Sequence, residues 1–574
     1  MNKLISLATL LLCASFTAPC NGQNTKTTEE LNAQALAEYQ IPIRPGTEGR
    51  NPFWNEYAKK FTYAPAFDFK EVKGAKSYRF TVIWEDDVWR NPVHQRPDKP
   101  DFEVGDEEDV PTMEDGSSRD IADARGRDLP TFTFTAASPK ADLSPIWQQI
   151  PVGNVQLVVE GIDGKGKVVG ISGQREFMRD FPFLLPQLEA VRPYKEAAIM
   201  AALYLHRMPA VQSWRTSTEP DFSYKHNTYP SKIIGATIRM ECIIAKIDSA
   251  KRDEALTVAK NAAQFLISQS RKAGEPLAYF TPTYYGDYIA SAKKENKGKT
   301  LGMEASVAAQ AFLDLYDITG EKAYFDRCIG IAETYRRIQR EDGSIPMKMD
   351  FATGVADNTQ GALLGPLMKF LVRLENQYGV KDFISVREKG EKWMDLVAVE
   401  TFDMTGQFED VTVNGWKPYQ NLTNCTAAPY ASFLLKKANP SERDIQNALD
   451  LIRLSEDQFT HWDALLNADG FRPIACPGVY EQYQYRVPID NSACNVANAL
   501  LDWYEYDGNE LALAKAKTLI DYLTIVQNPV NGQILTTWDL RSWEGDAKRA
   551  FWINCSTASI EALLRLDAIL AKKR

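Results

Sequence analysis

The sequence predicts an antiparallel β-sandwich of immunoglobulin or fibronectin type over 61–180, followed by an (α/α)6 toroid over 187–574. Two observations predict this order. In the first segment, apolar and polar residues alternate with a period of two between turns rich in Gly and Asp. In the second segment, pairs of apolar helices begin about every 55 to 70 residues, and an internal period of this size is typical of a helical array.

The sandwich is predicted from short alternating runs. The clearest is 78–84, in which Tyr78, Phe80 and Trp84 share one face. An acidic segment over 85–128 interrupts the runs, and its length is typical either of a functional flap that reaches the toroid or of a solvated insertion. The other candidate strands are 62–69, 131–134, 155–160, 167–171 and 175–178.

The toroid is predicted from one helical hairpin whose form recurs. Asp490 begins an inner helix, a turn follows at 506–509, and an outer helix runs over 511–526. The orphan helix 187–207 is expected to pair with the last inner helix, 549–571, so that six hairpins close a ring. The other pairs are 231–247 with 253–270, 302–318 with 323–338, 357–378 with 382–399, and 421–437 with 441–455.

Residues 1–20 have the pattern of a bacterial export signal, in which Lys3 precedes an apolar core over 4–16. That core is too short to span a bilayer. We therefore expect a secreted, periplasmic or surface-anchored protein.

The end of this segment leaves the mode of export open. Thr17-Ala18-Pro19-Cys20 resembles a lipoprotein cleavage box, but Pro replaces the usual small residue before the Cys. Lipidation at Cys20, with membrane anchoring, and simple secretion both stay open. The residues that follow, from 21 to 60, are polar and are predicted to form a tether.

Composition narrows the classes of partner. The net charge of −10 argues against a general nucleic-acid or anionic-membrane surface, and an anionic substrate would need a local basic pocket. Four His without an HExxH pattern, and Cys without a CxxC pattern, predict no metal site and no cofactor. Aromatic residues are abundant, and exposed ones stack well on sugar rings.

Candidate site residues come from the loops that enter the inner helices. Parallel inner helices bring their N-termini, which carry partial positive charge, to one mouth of a toroid. The candidate catalytic carboxylates there are Glu304, Asp357, Glu409, Glu481, Asp490 and Asp539. The candidate substrate contacts are His226, Tyr284, Tyr285, Trp416, Tyr480, Tyr483, Arg486, Arg541 and Trp543. Asp357 and Asp490 also stand where helix caps belong, and His226 also fits a structural loop histidine.

An export signal, a sandwich and a six-hairpin toroid with aromatic mouth loops together resemble the six-hairpin carbohydrate-active enzymes that glycan-degrading bacteria secrete. That group includes unsaturated glucuronyl hydrolases, exo-β-glucuronidase-type hydrolases and toroid polysaccharide lyases. The stretches 61–65 and 477–481 are the most family-like, and the resemblance spans roughly 60–572. It implies an enzyme that acts on oligo- or polysaccharides.

The first functional hypothesis is an exo-acting glycoside hydrolase that removes a uronic acid. Two of the candidate carboxylates would flank the scissile bond, about 5 Å apart in a retaining enzyme and about 6.5 to 9.5 Å apart in an inverting one. Arg486, Arg541 or Lys417 would hold the uronate carboxylate.

Two alternatives stay open. A lyase would neutralise a uronate and abstract a proton with Tyr or His. Its candidates are Tyr284, Tyr285, Tyr480, Tyr483 and His226, with Asn227 or Asn424 on the carboxyl group. A non-catalytic surface glycan-binding lipoprotein is the third hypothesis. Sugar epimerases share the toroid, but the export signal argues against them.

Overall fold

The computed structural model describes residues 26–43, 53–85, 129–287, 293–405, 417–465, 474–483, 485–538 and 551–573. The export signal and the acidic insertion from residue 86 onwards lie outside this part. The helices are α1 (Thr28–Tyr39), α2 (Tyr194–His206), α3 (Pro209–Gln212), α4 (Gly235–Ile247), α5 (Arg252–Gln269), α6 (Glu304–Thr319), α7 (Lys322–Ile338), α8 (Gly365–Tyr378), α9 (Ile384–Met394), α10 (Asn424–Leu435), α11 (Glu442–Phe459), α12 (Asp490–Asp507), α13 (Glu510–Val526) and α14 (Ile553–Lys573). The strands are β1 (Lys60–Phe61), β2 (Ala66–Asp68), β3 (Ser77–Glu85), β4 (Thr131–Ala136), β5 (Lys140–Asp142), β6 (Gly153–Ile162), β7 (Val168–Arg179), β8 (Lys299–Leu301), β9 (Lys348–Asp350), β10 (Thr460–His461), β11 (Gly478–Gln482) and β12 (Tyr485–Pro488).

Six inner helices form a closed ring. In ring order they are α4, α6, α8, α10, α12 and α14, each contacts the next, and α14 contacts α4 again. Their outer partners are α5, α7, α9, α11, α13 and α2, respectively. The predicted (α/α)6 toroid is therefore confirmed, including the pairing of the orphan helix α2 with the last inner helix.

Short turns make the inner helices parallel. Gly320, Gly379 and Gly508 end α6, α8 and α12 with φ of 71°, 70° and 78°, the left-handed conformation that glycine adopts without strain. An outer helix starts within a few residues of each glycine and runs back along the inner one. All inner helices therefore begin on the same face of the ring.

The N-terminal region is β-rich, as predicted, but its arrangement differs in detail. A five-stranded sheet has the order β1-β7-β6-β3-β4, and β2 pairs with β5 in a separate ribbon. β1 is parallel to β7, so the sheet is not wholly antiparallel. The runs 167–171 and 175–178 are not two separate strands but parts of the single strand β7. β7 pairs with β6 along its length, and the register shifts at two places. The immunoglobulin or fibronectin arrangement stays a prediction.

A helix occupies part of the segment that was expected to be a polar tether. Thr27 and Glu30 form a reciprocal capping box at the start of α1. One face of α1 buries Leu31, Ala35 and Tyr39, and the helix contacts α13 of the toroid. The apolar spacing of i, i+4 and i+8 within this polar segment is what makes it a docked helix.

The prediction that α8 begins at Asp357 is wrong, because the helix begins at Gly365. The Asp357 N–H donates to the Lys348 carbonyl oxygen at 3.0 Å, and its carboxylate pairs with Lys299 Nζ at 2.7 Å. Pairing of this loop with the short two-stranded β8–β9 sheet therefore replaces the expected first turns of the helix.

Buried polar contacts join the sheet region to the toroid at the end of α11. The Glu456 carboxylate accepts hydrogen bonds from Tyr39 Oη at 2.5 Å, Tyr63 Oη at 2.8 Å, Trp462 Nε1 at 3.0 Å and Lys515 Nζ at 2.9 Å. These donors come from α1, the strand region, α13 and the loop after β10. Four donors on one carboxylate compensate for its removal from water.

In the described part of the chain, no helix combines the length and the apolar character needed to cross a membrane.

Candidate functional site

The starts of the six inner helices and the loops that enter them form one face, which we call the mouth. The interior of the ring below it, which we call the lumen, is accessible to solvent. On each of five inner helices, residues that are not fully buried recur every three to seven positions on one face, between buried neighbours. On α6 they include Glu304, Gln310 and Asp314. On the other four helices and the turn before α4 they include Lys232, Arg239, Lys369, Arg373, Asn491, Asn495, Asn498, Asn554, Glu561 and Arg565.

Glu481 is a half-buried carboxylate at the mouth, on β11. β11 pairs with β10 on one side and β12 on the other, and Gln482 bridges to Thr423. The register shifts between Tyr480 and Gln482, so two residues of β12 lie opposite Glu481 in a β-bulge. Bulges re-aim single side chains next to active sites. Glu481 therefore lies on a strand that pairs with a neighbouring strand on each side.

An aromatic and cationic group lies beside the starts of α4 and α14. The His226 ring stacks on Trp552, with centroids 4.0 Å apart and an angle of 28° between the planes. The Tyr229 ring lies 5.5 Å from Trp552 and 6.2 Å from the Tyr284 ring. Lys232 Nζ lies 5.3 Å from the Trp552 ring centroid. We call these residues the Trp552 cluster; they combine a flat apolar ring face with a cation.

Asp490, the first residue of α12, is completely buried. Its Oδ1 accepts the Asn491 N–H at 2.7 Å, and its Oδ2 accepts the Ser559 hydroxyl at 3.1 Å. Burial raises the pKa of Asp490 well above its usual value, and the charge of Glu481 raises it further. Asp490 is therefore shifted towards its protonated form, and its side chain is completely buried.

Two similar segments begin α10 and α14, which flank α12. Asn424 is fully buried, and neither its Oδ1 nor its Nδ2 has a hydrogen-bond partner among the described residues. Asn554 is half-buried, and its Nδ2 makes a weak contact with Cys555 Sγ at 3.6 Å. Burial raises the pKa of the neighbouring thiol of Cys425 to about 11, so that thiol is neutral and unreactive at neutral pH.

Glu304 is the first residue of α6, which stands opposite α12 in the ring order. Its carboxylate is half-buried and lies close enough to Tyr335 to raise the pKa of that phenol, together with the larger effect of burial. Glu304 and Glu481 are thus two half-buried carboxylates, one at the start of α6 and one on β11, which contacts α12, the helix opposite α6 in the ring.

The remaining candidates occupy different places. Asp357 pairs with Lys299 on β8, the short strand that precedes α6. The Tyr285 ring packs between Phe222 and Phe265, the latter on the outer helix α5. Tyr284 is buried in the Trp552 cluster.

Two tyrosines of the β11 region pack against the end of the outer helix α11 and the strand β10 that follows it. The Tyr480 ring, which is buried, lies 4.6 Å from His461. Tyr483 Oη donates to Gln458 Oε1 at 2.5 Å. Both support the strand that carries Glu481. Glu409, Trp416, Asp539, Arg541, Trp543 and the side chain of Arg486 lie outside the described residues, so these candidates stay predictions.

Lys232 and Trp552 are the mouth residues that sequence reasoning missed. Trp552 directly precedes α14, and Lys232 lies seven residues before Arg239 on the same helical face. That spacing, with only small or apolar residues and Thr237 between the two cations, is a signal for a polar stripe on an otherwise buried helix.

No known protein family matches the chain, and no curated protein matches it. Several solved structures are similar to it. A GH76 α-mannanase from Bacteroides thetaiotaomicron has a TM-score of 0.47 and 12% identity, covering 67% of this chain and 98% of the mannanase. A cellobiose 2-epimerase from Spirochaeta thermophila has a TM-score of 0.42 and 13% identity, covering 65% and 98% of the two chains. An unsaturated glucuronyl hydrolase from a Bacillus species has a TM-score of 0.33 and 15% identity, covering 65% and 85%.

The structures to which the chain is similar are thus carbohydrate-active proteins, and the resemblance expected from the sequence is confirmed as a likeness.

Proposed function

We propose that this chain is a carbohydrate-active enzyme that hydrolyses a glycan at the mouth of its toroid. The observation that carries the proposal is Glu481, an accessible carboxylate on a bulged strand at the opening of a polar lumen. The Trp552 ring offers a face for a sugar ring, and the lumen offers amides and charged groups for its hydroxyls. A carboxylate placed among such groups supports proton transfer to or from a glycosidic oxygen.

Glu481 and Glu304 are the two carboxylates of the proposed reaction. One protonates the glycosidic oxygen, and the other activates a water molecule or attacks the anomeric carbon. Because the helices beside them, α6 and α12, are opposite in the ring, we favour an inverting reaction, in which water must fit between the sugar and the base. Asp490 is assigned a positioning role, since its carboxyl group is completely buried.

The finer form of the proposal is an exo-acting hydrolase that removes a uronic acid from a complex glycan. A lumen entered from the mouth can accept the end of a chain, and Lys232 places a cation where an acidic sugar would stack on Trp552. The predicted export signal fits a glycan substrate outside the cytoplasm, and cell fractionation of the full chain would test that location.

A lyase is the second candidate, and one observation favours it. His226, Tyr229 and Lys232 surround the same Trp552 ring, so a base and a cation that could neutralise a uronate lie together. This arrangement does not need Glu481.

The test is incubation of the purified chain with matched oligosaccharides that do and do not contain uronic acids. Reducing-sugar release and ultraviolet absorbance are followed together. Hydrolysis releases sugar without new absorbance, whereas elimination creates an absorbing unsaturated uronate. Glu481→Gln should abolish release, and Glu388→Gln, on an exposed position of the outer helix α9, should not change it.

Three outcomes would change the assignment. If the Glu481→Gln variant still produces new absorbance, the chain is a lyase rather than a hydrolase. Binding of the oligosaccharides without any turnover would favour the glycan-binding protein. Full hydrolysis by Glu481→Gln would remove Glu481 from the mechanism.

A further inference from the structure

The lumen contains a belt of ion pairs below the mouth. Arg239 Nε lies 3.0 Å from Asp314 Oδ2, and Arg239 Nη2 lies 2.6 Å from Glu561 Oε1. Arg373 Nη2 lies 2.8 Å from Asp314 Oδ1. These pairs connect α14, α4, α6 and α8 in ring order.

The belt continues on the other side of the ring. Arg565 pairs with Asp502, and Lys436 Nζ lies 3.0 Å from Asp502 Oδ1. These contacts connect α14, α12 and the end of α10. Among the described residues, an ion pair thus bridges each neighbouring pair of inner helices except α8 and α10.

Lys369 lies beside this unbridged position. It is the fifth residue of α8, about 6 Å along the axis from the helix start at 1.5 Å per residue. It shares a face with Arg373, one turn further on, and its side chain is exposed although both neighbours in sequence are buried. Among the described residues, no carboxylate pairs with Lys369.

The charges that face Lys369 come from four other helices. They are Arg239 on α4, Lys436 after α10, Asp502 on α12 and Glu561 on α14. On its own helix, Arg373 is already paired with Asp314 and Asp317 of α6. Desolvation by this enclosure, together with Lys436 and Arg239, lowers the pKa of Lys369 to about 8. Lys369 shares a helix face with Arg373, which pairs with Asp314 in the lumen, so the exposed side chain of Lys369 also points into the lumen.

We propose that Lys369 is the binding site for the carboxylate of an acidic sugar inserted into the lumen through the mouth. Asp502 and Glu561 are each engaged by Arg or Lys partners, so their charges are already compensated. In the part of the chain that the structure describes, Lys369 has no carboxylate in an ion pair with it, so its ammonium is available to an external anion. Gln310, Asn495 and Asn498 line the same part of the lumen and offer amides to sugar hydroxyls.

This site rests on the proposed function for the identity of its ligand, and it adds Lys369 in the lumen to Lys232 at the mouth as a second cation for a uronate. A sugar carboxylate on a single lysine forms a charge-assisted hydrogen bond. The bound anion would also offset the repulsion among Lys369, Lys436 and Arg239, and it should therefore raise the pKa of Lys369.

The test uses calorimetric titration of the full chain with glucuronate and galacturonate, and with glucose as the neutral probe. Lys369→Met should weaken binding of the sugar acids about tenfold or more and leave glucose unchanged. Lys389→Met, an exposed lysine on the outer helix α9, is the matched control and should bind like the wild type.

A second readout does not depend on turnover. In the chain with isotopically methylated lysines, the Lys369 signal is identified by its absence in Lys369→Arg, and its titration is followed by NMR. Sugar acids should move its pKa upward, whereas glucose should not. If this happens without any glycan cleavage, the hydrolase proposal fails while the anion site stands.

The proposal is overturned if Lys369→Met binds sugar acids as tightly as the wild type. It is also overturned if the wild type binds neither acid and the Lys369 signal does not respond to them.

Discussion

The Asp180 carboxylate, at the end of β7, lies 2.8 Å from His461 Nδ1 in the toroid, as measured from Oδ2. The same oxygen lies 3.0 Å from Lys60 Nζ of β1. All three side chains are buried, and the His461 ring packs on Tyr480, the residue before Glu481. The sheet region is thereby connected to the strand that carries the proposed catalytic carboxylate.

Asp180→Asn should destabilise the protein by about 3 to 5 kcal/mol, because it leaves a buried lysine without its carboxylate. Asp68→Asn, which removes an exposed pair with Lys140, is the matched control and should cost no more than about 1 kcal/mol. Urea unfolding of the three proteins measures both values. Equal losses would mean that the buried contact has no special role.

The pH dependence of this contact follows from the direction in which the pKa of Asp180 is shifted. Burial alone would raise the pKa of Asp180, but His461 and Lys60 lower it well below its usual value. The stabilisation is therefore complete above about pH 4, the unfolded value, and is lost only as the pH falls through the lower folded value. Wild type and Asp180→Asn should differ most at neutral pH and converge in strong acid.

Asp490→Asn should stabilise the protein near pH 7. A carboxyl group whose folded pKa is raised loses native stability as the pH rises above its unfolded value near 4, by about 1.4 kcal/mol for each unit of the raise. Asparagine has the shape of the neutral acid and carries no proton to lose. Thermal unfolding between pH 4 and pH 8 should show a smaller decline for the variant than for the wild type.

That variant also separates two roles for Asp490. If the residue only supports the mouth, activity should persist with a similar KM. A loss of kcat of more than about a hundredfold, with stability retained, would instead make its proton part of the reaction.

His206 should stabilise the toroid mainly at low pH. Its Nδ1 lies 2.9 Å from Glu241 Oε2, and its Nε2 lies 3.3 Å from Glu254 Oε1. Desolvation opposes the charged ring, but Glu241 and Glu254 raise the pKa of His206 overall. The contribution is full below about pH 6.5 and is lost as the pH rises through the folded value. His206→Gln should therefore cost more stability at pH 5.5 than at pH 9, and an equal cost at both values would contradict this.

Trp552→Ala should weaken sugar binding about tenfold by removing the stacking face, with KM affected more than kcat. Trp538→Phe is a control for loss of a tryptophan near the same end of the toroid, since Trp538 is buried against Tyr522 instead. Kinetics on the best substrate would measure both. An unchanged KM in Trp552→Ala would remove the Trp552 cluster from the site.

The anomeric form of the released sugar provides a further test. With Glu304 and Glu481 beside α6 and α12, which are opposite in the ring, NMR of the fresh product should show inversion. Retention would require a carboxylate closer to Glu481, and Glu304→Gln would then remain active.

The hairpin ring could be predicted because each hairpin carries its own local signals. The hairpin over 490–527 contains a polar helix start, an apolar face and a glycine turn, and all three are present in the structure. The start of α8 could not be predicted in this way. Asp357 has the local character of a cap, but its pairing with the distant Lys348 backbone decides its conformation.

The sequence predicts which loops form the site, but it predicts fewer of the side chains that take part in it. Alternation along β11 predicts that Tyr480 and Glu481 point to opposite sides, which excludes one of them from the mouth. The lumen was harder to foresee, since its polar residues form one narrow stripe on helices that are otherwise buried. Lys369 was missed because a single lysine in an apolar helix resembles a solvent-facing position.

The pairing of α2 with α14 has a consequence for biosynthesis. α2 is the first ring helix to leave the ribosome, and its partner α14 ends at residue 573. The nascent chain therefore holds an unpaired apolar helix while five hairpins are being made. Ring closure must come after synthesis of that segment, so truncation anywhere before 553 should leave an open array that quality-control proteases can recognise.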